Sequence, residues 1–272
     1  MAEHQLTTHH ADVAGQGGGV GRLAVVSGGG SGIGKAIATE LARGGCRVVI
    51  LGRRAEALEL ARKEIGAAVG EGRVIPLVVD LTDPEATARA ASAIAAYGPV
   101  DVLVNNAGAR VTAPVDGSLA ALAASWRSGL EANLLSAVLL TSALLGQLRR
   151  PGARLIVVSS TAAQRGGAGP HSAGAYAAAK AALHGWAFGL ARELGPDGIT
   201  VNLVAPGYIA ETEIFGEGWT EEFHAAKVAE TLVGRAGVPA DVAGVIGYLA
   251  SPGAGYLTGQ VIGVNGGVVL GR

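Results

Sequence analysis

The sequence predicts an α/β fold in which a doubly wound parallel sheet carries helices on both of its faces. From Leu23 onward, short apolar runs rich in Val and Ile alternate with longer stretches of helical periodicity. The runs are apolar at nearly every position, which is typical of strands that are covered on both faces. Strand–helix alternation of this kind implies right-handed crossovers and a doubly wound sheet. We predict one such domain over residues 21–272.

Six apolar runs are the predicted strands, and a seventh strand follows near the C-terminus. The six runs are residues 23–28, 47–52, 74–79, 100–105, 154–159 and 199–205. After the first run, Ile33, Ile37 and Leu41 recur at intervals of four residues, which indicates an amphipathic helix. After the third run, Asp83-Pro84-Glu85 predicts a helix start with an N-cap, a first-turn proline and an acid that favours the helix dipole.

The composition excludes several classes of protein. Of the 272 residues 49% are hydrophobic and 16% are charged, with a net charge of −1, so the chain is not disordered. It contains no basic cluster, and we therefore expect no nucleic-acid partner. No apolar run approaches the roughly 18 uninterrupted residues of a membrane span. Residues 1–20 resemble no signal peptide, and their Gly-rich end predicts a flexible tail.

The cysteine and histidine content argues against disulfide and metal chemistry. Cys46 is the only cysteine, which fits a reducing compartment, and we expect a cytoplasmic protein without a membrane partner. Three histidines fall in the predicted tail. The other three, His171, His184 and His224, lack the spacing of metal ligands and are expected to have surface or packing roles. We expect no metal site.

A glycine-rich segment, residues 27–34, follows the first predicted strand and precedes a predicted helix. Glycines let the backbone turn sharply and approach a phosphate, and the helix N-terminus supplies free N–H groups. One interpretation is the P-loop of a nucleotide triphosphatase, which Gly29, Gly34 and Lys35 nearly reproduce. Ala36, however, stands where that motif needs a hydroxyl to bind Mg²⁺.

The other interpretation is a dinucleotide site, which the spacing of Gly28, Gly32 and Gly34 favours. With this spacing the sequence resembles the short-chain dehydrogenase/reductase superfamily, whose phosphate loop reads TGxxxGxG, with Ser27 here in the place of Thr. Further motifs of that superfamily follow in order along the chain. They are Asp80, Asn105-Asn106-Ala107-Gly108, Asn133, Ser160, Tyr176-xxx-Lys180, Pro206-Gly207 and Tyr256-Leu257-Thr258-Gly259-Gln260. The resemblance implies a Rossmann-type domain that transfers hydride between NAD(P)(H) and a carbonyl or secondary alcohol.

The resemblance also implies four catalytic residues. Tyr176 is the general acid/base, and Lys180 lowers its pKa from the usual value of about 10 while holding the nicotinamide ribose. The two residues are four apart on a predicted helix and share one face. Ser160 binds the substrate oxygen, and Asn133 fixes a water that passes protons from Lys180 to solvent. Ser172 is an alternative to Ser160, because the separation of Ser160 from Tyr176 in the sequence is longer than in most relatives.

By the same resemblance, seventeen residues contact the dinucleotide. They are Gly28, Ser31, Gly32, Ile33, Gly34, Arg53, Asp80, Leu81, Asn106, Ala107, Gly108, Tyr176, Lys180, Pro206, Gly207, Ile209 and Thr212. Thr212 lies one position later than the family's threonine, where this chain has Glu211. The second predicted strand ends in Arg53-Arg54 with no acid before Glu56, which suits a 2′-phosphate and favours NADP(H). NAD(H) stays open, because many NADP-using relatives carry a basic residue at the position of Ser31.

Within the superfamily, the sequence looks most like the 3-oxoacyl-carrier-protein reductase branch. The stretch from Gly234 to Ala243 and the YLTGQ motif carry this likeness, and both are widespread among relatives that act on sugars, steroids and polyketides. We therefore expect a small-molecule or carrier-bound carbonyl substrate, with an NAD-dependent alcohol, sugar or steroid dehydrogenase as the alternative. Relatives usually form homotetramers through the helices around Asn133 and Tyr176. A P-loop triphosphatase and a noncatalytic dinucleotide sensor are the rival classes of function.

Overall fold

A computed structural model describes residues 21–110, 117–167, 174–212 and 220–271. The predicted tail at residues 1–20 lies outside these ranges, and its flexibility stays a prediction. Ser172, the alternative to Ser160, also lies outside the described residues, as do His171 and residues 213–219.

The sheet has seven parallel strands in the order β3-β2-β1-β4-β5-β6-β7. The strands are β1 (Leu23–Ser27), β2 (Arg47–Gly52), β3 (Val74–Val78), β4 (Val100–Asn105), β5 (Arg154–Val158), β6 (Thr200–Pro206) and β7 (Val261–Val264). The predicted Rossmann-type fold is confirmed, and each predicted strand ends within one residue of its expected position. The strand order reverses between β1 and β4, and such a reversal opens a crevice at the carboxyl ends of the strands.

Nine α-helices are found in the described part of the chain, together with one π-turn and three 3₁₀ turns. The helices are α1 (Gly32–Arg43), α2 (Ala55–Val69), α3 (Pro84–Ala95), α4 (Leu119–Leu130), α5 (Ser136–Leu144), α6 (Ala162–Arg165), α7 (Ala175–Leu194), α8 (Glu221–Ala229) and α9 (Pro239–Ala250). The π-turn is Glu131–Leu135, and the 3₁₀ turns are Leu145–Gln147, Gly195–Asp197 and Pro252–Ala254. The predicted start of α3 is confirmed, because the Asp83 carboxylate accepts hydrogen bonds from two first-turn amides.

The core consists of two apolar layers, one on each face of the sheet. Alternate residues of β1 belong to different layers, as the period of a strand requires: Val26 packs with α1, α2 and α9, and Val25 packs with α3, α5 and α7. The strands are apolar on both faces for this reason. The helices on both faces cover the sheet and leave its carboxyl-end crevice as the place for a ligand.

The helical stretch Leu119–Gln147 is long and apolar enough to cross a membrane by length and composition alone. In the fold it packs against α3, α7 and β4, and Leu140 and Leu144 are fully buried. Asn133, Ser136 and Thr141 are buried polar residues along the same stretch. Core helices pass the same length and composition test, and 39% of the most apolar window of this stretch is buried in the fold.

Candidate active site

The glycine-rich segment turns from β1 into α1 through two residues in the left-handed region, Gly28 with φ +66° and Gly32 with φ +49°. Gly34 lies so close to the same loop that a Cβ atom there would stand 2.0 Å from the carbonyl oxygen of Gly28. A side chain is therefore excluded at Gly34 by contact and disfavoured at the other two by backbone conformation. This explains the spacing of the three glycines.

A single hydroxyl joins the glycine loop to the loop after β4. The Oγ atom of Ser27 accepts hydrogen bonds from the backbone amides of Asn106 (2.9 Å) and Ala107 (3.0 Å). The Asn106 side chain returns a hydrogen bond of 2.9 Å to the Ser27 carbonyl oxygen. The threonine of the family motif has the same hydroxyl group. In this chain the Ser27 hydroxyl links the glycine loop to the loop after β4.

The N-terminus of α1 is open to an anionic ligand. Its N-cap, Ser31, makes no capping hydrogen bond, and its first turn holds no acidic residue. The Ser31 hydroxyl accepts a hydrogen bond of 3.1 Å from the guanidinium of Arg54 instead. Lys35 pairs with Glu64 on α2 at 2.8 Å, so its ammonium is engaged away from the position that a P-loop lysine needs. Ile33 is half-buried in the first turn of α1. These features fit a dinucleotide pyrophosphate better than a triphosphate.

The ends of β2 and β3 supply the next group of predicted residues. The Oδ1 atom of Asp80 accepts hydrogen bonds from the Thr82 amide (3.0 Å) and hydroxyl (2.7 Å). These bonds, with a smaller contribution from the charge of Arg53, hold the pKa of Asp80 below its usual value. Leu81 is buried beside it, whereas Arg53 is exposed. The structure therefore places Arg53 and Asp80 near each other.

Asn133 occupies the middle of the π-turn and is fully buried. Its side-chain amide donates to the carbonyl oxygens of Ala109 (2.7 Å) and Gly129 (2.9 Å), and its Oδ1 atom accepts from the Ala109 amide (3.1 Å). In a regular α-helix, the carbonyl of Gly129 bonds to the backbone amide of Asn133, four residues later. Here the Asn133 side chain also bonds to that carbonyl, and it clamps the loop after β4 to the helix.

The remaining predicted catalytic residues meet where β5 faces the start of α7. Ser160 lies near enough to the Tyr176 hydroxyl to act on its pKa in the lowering direction. The Nζ atom of Lys180 donates to the carbonyl oxygen of Val158 at 2.9 Å and lies 5.8 Å from the centre of the Tyr176 ring. A Cβ atom on Gly108 would stand 3.2 Å from that Nζ atom and 2.6 Å from Oδ1 of Asn133. The structure thus places Asn133 and Lys180 beside Gly108, and it places Lys180 and Ser160 near Tyr176.

The segment after β6 completes the crevice. Gly207 donates its amide to Val264 on β7 at 2.9 Å, and Ile209 is buried. Glu211 adopts the left-handed conformation with φ +59°, although it is not a glycine. The Thr212 hydroxyl bonds to the Ile209 carbonyl oxygen at 3.0 Å. A Cβ atom on Gly32 would lie 3.5 Å from the Thr212 methyl carbon, so Thr212 lies against the glycine loop despite its shifted position in the sequence.

Comparison with known proteins agrees with this geometry. The sequence model of a family described as enoyl-(acyl carrier protein) reductase matches residues 28–269. The chain is 36% identical over 253 residues to a 3-oxoacyl-[acyl-carrier-protein] reductase of Vibrio cholerae, covering 92% of this chain and 98% of that protein. It is also 36% identical over 254 residues to a galactitol 2-dehydrogenase (L-tagatose-forming) of Cereibacter sphaeroides, covering 92% and 96%.

The chain belongs to the short-chain dehydrogenase/reductase family. Solved structures of the family superpose well on it. An actinorhodin polyketide ketoreductase with NADPH has a TM-score of 0.80 at 33% identity, covering 91% of this chain and 97% of that one. The RhlG/NADP complex of Pseudomonas aeruginosa has a TM-score of 0.81 at 32% identity, covering 92% and 96%. The protein is an NAD(P)-dependent dehydrogenase/reductase that acts on CH–OH or ketone groups.

Within this family site, burial dominates the electrostatics. Burial lowers the pKa of Lys180 to about 8. Burial also raises the pKa of Tyr176, although the hydrogen bond with Ser160 and the positive charge of Arg110 act in the opposite direction. The sequence predicts that Lys180 lowers the pKa of Tyr176, whereas in the structure burial raises that pKa. The sequence did not predict that Arg110 acts on Tyr176. Its only signal there is its position two residues after Gly108.

Metal ligation has no obvious candidates in the described ranges. Nowhere in them do three or more His, Cys, Asp or Glu side chains lie together in a way that suits a metal ion. The expectation of a metal-free site stays a prediction.

The pKa of Lys180 predicts a pH-dependent change in stability. Between about pH 8 and 10.5, Lys180 is mostly protonated in the unfolded chain and mostly neutral in the folded one. The residue therefore destabilises the fold fully below about pH 8, and this effect is lost as the pH rises toward 10.5. Burial of the charged amine costs about 3 kcal/mol of folding free energy in full. Removal of the amine also breaks its hydrogen bond to Val158, which offsets about 1 kcal/mol of the stability gained. We expect Lys180→Met to raise the free energy of unfolding at pH 7 by about 2 kcal/mol.

Urea unfolding of both proteins at pH 7 and pH 10 measures this effect. The stability gain of the variant should shrink at pH 10, where Lys180 is largely neutral in the folded wild type. A gain of the same size at both pH values would contradict the lowered pKa.

Proposed function

We propose that this protein transfers hydride between NADP(H) and a carbonyl or secondary alcohol, with Ser160, Tyr176, Lys180 and Asn133 as its catalytic residues. The meeting of these four side chains beside the glycine loop carries the proposal. The contacts of Ser27 with the loop after β4, and the open N-terminus of α1, support a dinucleotide in the crevice. When bound, the nicotinamide supplies hydride to the carbonyl carbon or accepts it from the alcohol.

In the reductive direction, the chain has to supply a proton to the carbonyl oxygen. The Tyr176 hydroxyl donates that proton, and its high pKa keeps it protonated until negative charge develops on the substrate. Ser160, already hydrogen-bonded to Tyr176, donates a hydrogen bond to the same oxygen as the charge builds. In the oxidative direction the same groups act in reverse, and the tyrosinate takes up the alcohol proton.

Lys180 and Asn133 complete the proton path. At neutral pH the Lys180 amine is mostly protonated, since its pKa is about 8, and it stabilises the tyrosinate that forms. We assign it the ribose hydroxyls of the cofactor as well. Asn133 holds the loop after β4 in place through Ala109 and keeps a water between Lys180 and solvent. Its three side-chain hydrogen bonds give it a single orientation.

The cofactor assignment depends on the end of β2. Arg53 and Arg54 are exposed there beside a small residue, Gly52, and Arg54 already reaches the Ser31 hydroxyl of the glycine loop. This pair of guanidinium groups suits a 2′-phosphate, and no carboxylate stands between the end of the strand and Glu56 to repel one. The related ketoreductase with NADPH and the RhlG/NADP complex support the same choice. The alternative is an NAD-dependent dehydrogenase of the same family.

Cofactor titration tests this assignment. We expect Arg53→Ala and Arg54→Ala each to weaken NADPH binding by about 10- to 100-fold, while the affinity for NADH changes less than about threefold. Arg89→Ala removes an exposed arginine on α3 and serves as the matched control. Fluorescence titration of both cofactors gives the dissociation constants. Tighter binding of NADH by the wild type, indifferent to both substitutions, would overturn the NADP(H) assignment.

The substrate is proposed at the level of its class. The similar proteins are named for a 3-oxoacyl thioester on a carrier protein, a polyketide and a sugar alcohol, all of which present a ketone or secondary alcohol. We favour a 3-oxoacyl thioester or a related small ketone, with an alcohol, sugar or steroid dehydrogenase activity as the alternative. A cytoplasmic location forms part of the proposal.

Loss of the Tyr176 hydroxyl should abolish turnover without abolishing cofactor binding. We expect Tyr176→Phe to lower kcat for reduction of an acetoacetyl thioester by about 10²- to 10⁴-fold, because the proton donor is gone. Tyr248→Phe removes an exposed hydroxyl on α9 and should leave kcat unchanged. NADPH absorbance follows the rate.

The same assay separates the rival classes. A variant that keeps wild-type activity would refute the role of Tyr176. A wild-type protein that binds NADPH but reduces no carbonyl in a panel of ketones would indicate a sensor. Hydrolysis of MgATP, unaffected by Tyr176→Phe, would favour a triphosphatase.

We further propose a homotetramer whose subunits meet along α4, the π-turn, α5 and α7. An apolar groove of about 430 Å³ lies on this surface of the single chain. It is lined by Arg127, Leu130, Glu131, Leu134, Leu135, Val138, Ala182 and Trp186. Apolar grooves of this kind usually mark an interface, and a second copy of the same helices fits the symmetry of most oligomers.

Light scattering coupled to size exclusion tests the interface. We expect Ala182→Glu to reduce the assembled mass at least twofold, because it places an unpaired charge in the apolar groove. Ala182 is exposed in the single chain, so the substitution should leave the fold intact. Ala67→Glu on the exposed face of α2 is the control. An unchanged mass for Ala182→Glu would place the contact elsewhere.

A further inference from the structure

The helix that carries Tyr176 and Lys180 presents a third polar residue on the same face. His184 follows Lys180 by four residues and Tyr176 by eight, so the three side chains lie in a row along α7. The Nε2 atom of His184 is 2.8 Å from the hydroxyl oxygen of Ser159, the neighbour of Ser160. The same hydroxyl lies 3.1 Å from the backbone carbonyl oxygen of Lys180. Ser159 is buried, and His184 is half-buried.

The directions of these hydrogen bonds follow from the atoms involved. A carbonyl oxygen only accepts, so the one proton of the Ser159 hydroxyl goes to Lys180. The hydroxyl oxygen must then accept a proton from Nε2 of His184. In the helix the same Lys180 carbonyl also accepts the backbone amide of His184. Ser159, Lys180 and His184 thus form a closed ring of hydrogen bonds that only an Nε2–H donor completes.

This ring is one of three successive contacts between the end of β5 and α7. The Val158 carbonyl accepts from Nζ of Lys180, and Ser159 bonds to the Lys180 carbonyl and His184. Ser160 lies near the Tyr176 hydroxyl and acts on its pKa. The backbone amide of Ser159 is also held, by the Val204 carbonyl of β6 at 2.7 Å. Because Ser159 lies between the two residues that contact the catalytic pair, its anchoring determines how both contacts are made.

We propose that His184 is a positioning residue for the reaction, which fixes Ser159 against α7 and thereby sets the contact of Ser160 with Tyr176. His184 does not touch the substrate or the reacting atoms, and it acts entirely through Ser159. The inference rests on the proposed function of Ser160 and Tyr176. It replaces the surface or packing role that the sequence predicts for this histidine.

The chemistry of the histidine agrees with this role. Burial lowers the pKa of His184, so its imidazole is mostly neutral at pH 7 and above. Both the neutral Nε2–H form and the imidazolium donate from Nε2, and the ring of bonds therefore survives protonation. An apolar side chain of similar size fills the same space but donates nothing to Ser159. The Phe188 ring, one turn further along α7, contacts His184 at 6.3 Å between ring centres and contributes packing alone.

Three variants distinguish positioning from packing. His184→Leu keeps most of the volume and removes the donor, whereas His184→Gln retains an N–H group at nearly the same distance from the backbone. Phe188→Leu alters the packing around His184 and leaves its hydrogen bond. We expect His184→Leu to lower kcat about tenfold with little change in KM or in NADPH affinity, while His184→Gln and Phe188→Leu stay within about threefold of the wild type.

A second readout requires no substrate. Loosening of Ser160 removes a hydrogen bond that lowers the pKa of Tyr176, so His184→Leu should raise that pKa further. The ultraviolet difference titration of each protein against its Tyr176→Phe counterpart isolates the ionisation of this one tyrosine. His184→Gln should leave the titration where it is in the wild type.

A double-mutant cycle with Ser159→Ala tests the route of the effect. We expect His184→Leu to have little additional effect on kcat or on the tyrosine titration in the Ser159→Ala background, because both changes break one ring. Additive effects, or equal losses in His184→Leu and His184→Gln, would overturn the proposal. If the wild type reduces no ketone, the proposed function fails, and the tyrosine titration still decides whether His184 positions Ser160.

Discussion

The burial of the Lys180 amine is the constraint around which the site is arranged. An ammonium group removed from water needs partners, and here the Val158 carbonyl supplies one at the end of a central strand. This contact joins α7 to the end of β5. A Cβ atom at position 108 would stand 2.6 Å from Oδ1 of Asn133 and 3.2 Å from the amine, so the glycine there leaves room for both beneath the loop after β4. The fold thus accepts a cost in stability to place one cation beside a tyrosine.

Side-chain hydrogen bonds to backbone groups of distant segments hold the parts of this site in place. The Asn133 side chain bonds to Gly129 and to Ala109, while the Ser27 hydroxyl accepts from two amides of the loop after β4. Each support joins elements that are far apart in sequence. A rigid sheet with helices on both faces presents these loop ends in one place, and the hydrogen bonds between them then leave little freedom to the reacting groups.

The sequence predicted the sheet well, because apolar runs and glycine spacings are local signals, and it singled out several side chains that the fold brings close to one another. It did not predict the π-turn, the approach of Arg110 to Tyr176 or the bond of His184 to Ser159. These features depend on which residues of separate elements meet after packing, and no periodicity along the chain carries that information. His184 shows this well: its spacing excluded a metal role but gave no sign of the serine it contacts on β5.

Glu211 shows how a site can tolerate a change in loop length. By the resemblance, the family's threonine falls at Glu211, and this chain has Thr212 one residue later. Glu211 adopts a left-handed turn, and Thr212 lies against Gly32. The turn thus brings Thr212 to the glycine loop at the cost of one strained residue. Segments that cover the crevice can thus gain or lose residues during evolution while their anchor point beside the loop stays unchanged.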